Sequence, residues 1–562
     1  MNKSSMMKPE KISCAKAITN ILEQEDVEWI FGHPGEQILS LYDALRSSPM
    51  NHILVRHEQS AAHAADGYAR ASGKFGACVA TAGPGALNLV MGVATAYRDS
   101  IPILVITGDV PTNQRGQNTF QDIDLCSVFK PISRKTFYSS DASEAILNLK
   151  KSIEMLKKGP TGPIHLNLPK NVLDGLVDEN IIFKDLEIDF ESKNSKNLQS
   201  DLSQLEKVVE CIKTAKKPLI VAGAGLIWSD ALNEIKKFVN KSHIPLATTY
   251  HGRGILREDD DYCVGLIGNR GTPVGNYAGA NCDLVLGLGC RFSERTLTGI
   301  GSGENNPQIV QVNIDPETLK GDINLQMDVK EFLNEIMKIS ESIIPENNPH
   351  NASWLKELHI YSKDHPTSYD TEFFYSELPL KPQQAIKEIL DAANDSTIVN
   401  DAGTHTTWVT LYKKVLRPFS LLFSGAFGPM GYGLPAAIGA SFARPDESIV
   451  AIIGDGGFQM TLQELATVHQ YNLPMVICLI NNSSLGIIRQ WQEMYHSGSY
   501  EVELENPDFV KLAKAYGIEA VRVESPGDVF KFVKKGIGMK KPFLIDISVK
   551  EENIPLPDFI KE

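Results

Sequence analysis

A chain of 562 residues, 42% hydrophobic and 22% charged, is long enough for three or four domains and is neither a disordered nor a fibrous polymer. Its 55 Lys and Arg stand against 69 Asp and Glu. The resulting net charge of −14 has the wrong sign for binding by neutralisation of a nucleic-acid backbone. The eight cysteines form no Cys-x-x-Cys pair, which suits reduced thiols in a cytoplasmic protein and speaks against structural zinc. The N-terminal stretch has no apolar secretory core, and no apolar run approaches the ~20 residues of a membrane span.

Three blocks repeat one rhythm of apolar strand, glycine or polar turn, and amphipathic stretch. The first extends to about 185, with strands predicted at 27–31, 77–81, 101–107 and 163–168. The polar run 190–201 reads as a linker. A second block, about 195–345, predicts strands at 218–222, 244–249, 282–289 and 308–315. A polar, proline-containing crossing at about 345–382 leads to the third block, with strands at 396–400, 448–454, 474–480 and 542–549. Strands alternating with helical segments imply three doubly wound α/β domains with parallel sheets, in which ligands sit beyond the carboxyl ends of the strands.

The third block carries the densest chemical signal. Its strand 448–454 runs into Gly454-Asp455-Gly456-Gly457, a helical stretch follows, and the strand 474–480 ends in Asn481-Asn482. A right-handed βαβ crossover makes the two strands parallel, so Asp455 and Asn482 leave the same sheet edge. One carboxylate, one amide oxygen and a backbone carbonyl near Ser484 are half of an octahedral oxygen shell. Mg²⁺ fills such a shell with phosphate oxygens and water. Glycines beside a helix N-terminus let backbone N–H groups approach a diphosphate.

Gly-Asp-Gly followed by Asn-Asn at this spacing resembles the fingerprint of thiamine-diphosphate enzymes. Ser424 to Pro435 resembles the segment that bends this cofactor, with Met430 as the wedge between its two rings. In the first block, Val55 to Arg70 resembles the family's catalytic-glutamate segment, and Thr81-Ala82-Gly83-Pro84-Gly85 a family turn. The resemblance implies that Glu58 hydrogen-bonds the aminopyrimidine ring, a task that requires fixed geometry. It assigns Gly83, Pro84, Thr404, His405, Gly428, Met430, Gly454, Gly456, Gly457, Leu485 and Gly486 to thiamine diphosphate, and Asp455, Asn482 and Ser484 to Mg²⁺. In that family the glutamate of one chain meets the diphosphate domain of another, which implies a homodimer, or a tetramer.

The resemblance is closest to the acetohydroxyacid synthase (acetolactate synthase) catalytic subunits. Thr119-Phe120-Gln121-Asp122, Asn167-Leu168-Pro169-Lys170, Gly289 to Arg295 and Arg489-Gln490-Trp491-Gln492 carry it. It implies decarboxylation of pyruvate and addition of the two-carbon unit to a second 2-oxo acid, pyruvate or 2-oxobutyrate. Arg295 would hold the acceptor carboxylate through its planar fork. Trp491 would form a wall favouring 2-oxobutyrate, and Gln121 and Lys170 would line the substrate channel. The absence of a His-His pair, which supplies protons in the family's simple decarboxylases, favours carboligation over aldehyde release.

The middle block resembles a domain that binds FAD structurally in this enzyme, which places Gly223, Thr249, Tyr250, Gly268, Arg291, Phe292, Asn313, Ile314 and Asp328 near flavin. Gly223-Ala224-Gly225 does not complete a dinucleotide fingerprint. Several positions depart from the family pattern: Glu36 and Gln37 replace two small residues, Pro160 replaces an arginine, Ala82 a serine and Thr404 a glutamine. A related carboligase with another acceptor, a flavin-dependent 2-oxo-acid oxidase, and a cofactor-binding protein without catalysis are the competing readings. A separate regulatory subunit is left open.

Overall fold

Runs that are apolar on both faces become the inner strands of three six-stranded sheets. The computed structural model describes residues 11–181, 198–301, 303, 306–340, 349–368 and 378–555. A short antiparallel pair, β1 (Lys11–Ser13) with β8 (Leu176–Asp178), ties the start of the first domain to its end. Between them lie β2 (Trp29–Gly32), β3 (Asn51–Leu54), β4 (Gly76–Ala80), β5 (Ile103–Asp109), β6 (Lys135–Tyr138) and β7 (Ile164–Pro169), all parallel, in the order β3-β2-β4-β5-β7-β6. The middle domain comprises β9 (Pro218–Ala222), β10 (Leu246–Thr248), β11 (Cys263–Leu266), β12 (Leu284–Leu288), β13 (Gln308–Val312) and β14 (Ile323–Leu325), in the order β11-β10-β9-β12-β13-β14. The last comprises β15 (Ile398–Asn400), β16 (Leu421–Leu422), β17 (Ile449–Gly454), β18 (Met475–Asn481), β19 (Glu519–Val523) and β20 (Phe543–Ser548), in the order β16-β15-β17-β18-β20-β19.

The outer domains thus share one topology, in which strand order reverses between the first and third strands. The middle domain has the dinucleotide-binding order, with its reversal between β9 and β12. Ligands of open parallel sheets bind at such switch points, because the adjoining crossovers depart to opposite faces and leave a crevice. β17 and β18 pair in parallel, Gly454 beside Ile480, as the Asp455/Asn482 argument requires.

Two polar stretches carry helix. The run 190–201 lies outside the described residues up to 197, and its last residues open the helix Leu198–Thr214. The crossing at about 345–382 contains the helix Pro349–Asp364, whose buried Trp354 donates its ring N–H to the Pro218 carbonyl at 3.2 Å and docks the segment on the middle domain. Among the described residues, no helix is long and apolar enough to cross a membrane.

The first and last domains meet along two helices of small residues, Glu58–Ser72 and Gly433–Ala443. His57 caps the first by accepting from the Gln59 N–H, and Gly73, at φ +74°, ends it in the left-handed region. Alanine and glycine on the facing sides let the backbones approach, and the ridge is closed by a buried polar knot. Arg70 pairs with Asp66 (2.6 Å) and Asp99 (2.8 Å) and donates to the Phe423 carbonyl (3.1 Å), while Tyr432 Oη donates to Asp66 (2.7 Å). Removing one partner leaves charge buried without compensation. Arg70→Met is therefore expected to destabilise the fold by about 3–5 kcal/mol, read from denaturant midpoints at unchanged m-value.

Candidate active site

The switch point of the last domain opens into a cavity of about 450 Å³. Thr404, His405, Gly428, Met430, Gly454, Asp455, Gly456, Gly457, Asn482, Ser484, Leu485 and Gly486 all line it. The end of the Asn482 amide lies 3.0 Å from the Ser484 carbonyl oxygen and 3.3 Å from Asp455 Oδ1. A half-turn of the amide presents either nitrogen to these acceptors or oxygen to a cation held between the three. Burial raises the pKa of Asp455, while Asn506, donating at 2.7 Å, opposes the shift. Among the described residues no group of three or more His, Cys, Asp or Glu side chains is placed to hold a metal ion. With a single carboxylate, the three groups suit a hard cation that takes its other ligands from phosphate and water.

Beside them His405, 2% exposed, holds Nε2 without a partner. Burial pushes its imidazole down to about 4, so it is neutral at pH 7. An unpartnered ring nitrogen at a diphosphate-sized cavity fits a ligand oxygen. A Cβ on Gly456 would stand 2.9 Å from the Leu485 side chain and 3.1 Å from the Met430 methyl, so a larger residue would push both side chains from their places over the turn. Met430 is aimed by Asp401, which accepts from the Gly431 (3.0 Å) and Tyr432 (3.3 Å) amides and whose carboxyl burial raises to about 6. These features fit thiamine diphosphate and Mg²⁺: Asp455, Asn482 and Ser484 would hold the metal, His405 and the glycine turn the diphosphate, and Met430 and Leu485 the rings.

His405 shares its buried, neutral state with His52, pushed to about 4, and His63 and His165, pushed to about 3, each chiefly by burial. In the unfolded chain these rings take protons near pH 6.5; in the fold they do not until about pH 4 or below. The stability they contribute is fully present above pH 6.5 and is lost as pH falls toward 4, at up to about 1.4 kcal/mol per pH unit for each ring. Urea melts across pH 7 to 4 should show this fall, with a shallower slope in His405→Gln.

The outer wall of the cavity carries the two residues expected to serve the acceptor. Arg295 and Trp491 line it together with Tyr250 and Arg270. Among the described residues no carboxylate pairs with Arg295, although Arg489 is held by Glu493 and Glu551. Trp491 stacks on Tyr495 at 5.8 Å and 13°.

A second cluster gathers at the switch point of the first domain. Glu58 is the first residue of its helix and accepts from Asn88 Nδ2 at 2.9 Å. A Cβ on Gly85 would meet Glu58 Oε1 at 3.1 Å, and one on Gly83, φ +58°, would meet Gln121 at 2.9 Å. Gln121 itself has φ +65° and an unpartnered buried Oε1. Thr81 Oγ1 accepts from the Gln37 N–H at 3.3 Å, and Lys170 stands 4.0 Å from Glu36. Glu58, Gln121, Lys170, Gly83 and Pro84 are absent from the lining of the last domain's cavity.

The middle domain's switch point bears a second cavity, of about 600 Å³. Gly223, Thr249, Tyr250, Arg291, Phe292, Asn313, Ile314 and Asp328 line it; Gly268 does not, being packed against the Arg295 carbonyl. Arg291, its pKa lowered by burial, donates to Ser100 Oγ at 2.9 Å. Arg134 brings a guanidinium to the rim beside Pro160, donating to the Thr161 carbonyl and pairing with Asp315 at 2.7 Å.

Sequence reasoning missed Asp401, Asn88, Arg134 and Asn506. For Asp401 the available signal was its place one residue beyond β15, at a strand end flanking the switch point.

Three parallel-sheet domains, the outer two alike, with a Gly-Asp-Gly/Asn-Asn cavity define a class. The family models of the thiamine pyrophosphate enzymes match in order: the N-terminal TPP binding domain over residues 12–128, the central domain over 205–336 and the C-terminal TPP binding domain over 401–547. Within that class, the chain is 38% identical to the probable acetolactate synthase large subunit of Methanococcus aeolicus, over 95% of this chain and 92% of the relative. It is also 38% identical to that of Methanocaldococcus jannaschii (95% and 91%) and 34% identical to the acetolactate synthase large subunit of Lactococcus lactis (99% and 96%). The chain belongs to the acetolactate synthase large-subunit family.

Proposed function

We propose that the protein is an acetolactate synthase, releasing CO₂ from pyruvate and joining the remaining two-carbon unit to pyruvate or 2-oxobutyrate for branched-chain amino acid synthesis. The observation that carries this reading is the Arg295 guanidinium, without a carboxylate partner among the described residues, and the Trp491 indole on the cavity that holds Asp455, Asn482, Ser484 and His405. When bound, thiamine diphosphate supplies the carbon nucleophile and the electron sink for loss of CO₂. The chain supplies the rest. Arg295 fixes the acceptor carboxylate through a planar fork, and Trp491 limits the space for its alkyl end. Product analysis after pyruvate is supplied with Mg²⁺ and thiamine diphosphate, with and without 2-oxobutyrate, tests it; acetaldehyde as sole product would overturn it.

The separation of the Glu58 cluster from the Asp455 cavity within one chain supports a homodimer in which each chain completes its partner's site. The naming of the relatives as large subunits supports a smaller regulatory companion. FAD in the middle-domain cavity is supported by the strand order, the volume and the half-buried Arg291 on its lining, a cation suited to a diphosphate. Flavin absorbance retained through gel filtration after incubation with FAD, and lost in Arg291→Leu, is the expected outcome. The Glu36–Lys170 contact favours a second reading, a carboligase with another acceptor, because Glu36 offsets the cation that would draw a 2-oxo acid inward. A panel of 2-oxo acids separates the two readings.

A further inference from the structure

The strand β3 is the free edge of the first sheet, and its exit, residues 54–57, delivers Glu58 to the start of its helix. An edge exit normally gives its amides to water and moves with it. Here one face of a helical stretch in the last domain, residues 462–471, covers it. Tyr471 Oη accepts from the Leu54 N–H at 2.9 Å, and Gln470 Oε1 accepts from Arg56 Nη2 at 2.6 Å. The central contact is Glu464, which is 0% exposed. Its Oε1 accepts from the Arg56 N–H (3.0 Å) and the His57 N–H (3.1 Å), and Oε2 accepts again from Arg56 (3.2 Å) and from Thr467 Oγ1 (2.6 Å). Positions 464, 467 and 471 recur on one helical face, so a single rigid element presents all three groups.

The two amides that Glu464 holds precede Glu58 directly in the chain. The carboxylate also lies at the N-terminal end of a 15-residue helix, where negative charge is favoured. Burial pushes the Glu464 carboxyl up, and the hydrogen bonds from Thr467 and the two amides oppose that shift. A buried acid that meets no solvent and lines neither cavity, with both oxygens bonded to the backbone of one loop and one of them also to the Thr467 hydroxyl, has positioning as its available work.

We propose that Glu464 is the positioning residue of Glu58: by fixing the Arg56 and His57 amides it sets where the Glu58 carboxylate projects toward the partner's cofactor. The proposal rests on the reading of Glu58 given above. It assigns a second duty to the segment 455–471, which begins at the metal-binding Asp455 of one site and ends on the loop that carries the glutamate of the other.

The test uses the full chain and two nearly isosteric changes, Glu464→Gln, which turns an amide N–H toward a backbone N–H, and Thr467→Val, which removes the hydroxyl donor. Amide exchange is followed in the cofactor-free protein, and kcat and KM for pyruvate with Mg²⁺ and thiamine diphosphate. We expect exchange at Arg56 and His57 to quicken about tenfold with the rest of the chain unchanged. We expect kcat to fall about 10- to 100-fold at unchanged KM, in the range of a small misplacement of a reacting group. Glu464→Asp, which keeps the charge, should recover part of kcat. Wild-type exchange at Arg56 and His57, or an unchanged kcat in Glu464→Gln while Glu58→Gln is inactive, overturns the proposal. An active Glu58→Gln overturns the reading of Glu58 itself, whatever Glu464 does. Should Glu464→Gln fail to fold, Thr467→Val decides by the same two readouts.

Discussion

Glu58→Gln is expected to reduce acetolactate formation by about 10²–10⁴-fold, the usual range for loss of a positioned acid–base group. The amide preserves the hydrogen bond from Asn88 in shape and packs as well against Gly85. A fall of that size would therefore report the ionisable oxygen and not the fold. A sharper outcome follows from the distance between the two halves of the site. In the proposed dimer each centre combines Glu58 of one chain with Asp455 of the other. A mixed dimer of Glu58→Gln and Asp455→Asn chains then contains one centre with both changes and one with neither. Two inactive proteins, unfolded and refolded together in equal amounts, should recover about a quarter of wild-type activity, since half the dimers are mixed and each has one intact centre. Centres built within one chain would recover nothing.

The sequence announced the inner strands and was silent on the edges. The twelve runs read as strands become β2, β4, β5, β7, β9, β10, β12, β13, β15, β17, β18 and β20, and the six passed over in the three large sheets, β3, β6, β11, β14, β16 and β19, are the outermost strand on each side of each; the short β1–β8 pair was passed over as well. An inner strand of a parallel sheet is covered by helices on both faces and reads as unbroken hydrophobicity, as Gly76–Ala80 and Leu284–Leu288 do. An edge strand needs one apolar face at most. Lys135–Tyr138 and Asn51–Leu54 accordingly show mixed burial and few apolar residues.

The site divides in the same way. Asp455, Gly456 and Asn482, which the fold brings to one cavity, stood out because a metal and a diphosphate would demand fixed residue types at the ends of adjacent strands, a pattern written locally. Asp401 was not, because its work is to hold the Gly431 and Tyr432 amides 30 and 31 positions away. Glu464 is the extreme case: its partners lie 408 and 407 positions away, and the last domain must fold onto the first before the contact has meaning. Motifs record what a ligand requires of neighbouring residues; positioning by a distant carboxylate leaves no local pattern.

Arg295→Gln should separate the two halves of the reaction. Loss of CO₂ from the first pyruvate needs the cofactor cavity, whereas joining needs the second 2-oxo acid held by its carboxylate. Removing a charged partner of that carboxylate costs about 2–4 kcal/mol, or roughly 30- to 1000-fold in acceptor use. The expected result is continued CO₂ release with acetaldehyde replacing acetolactate, and Arg295→Lys should restore little because an ammonium lacks the fork. An unchanged ratio of acetolactate to CO₂ would remove Arg295 from acceptor binding. Trp491→Ala should leave that ratio intact and act on choice alone. Pyruvate and 2-oxobutyrate differ by one methylene, for which a shaped apolar wall can discriminate by about 10- to 200-fold. With the indole gone, and its stacking on Tyr495 with it, competition between the two acids should fall toward their concentration ratio, whereas a retained preference would place the selecting wall on another residue.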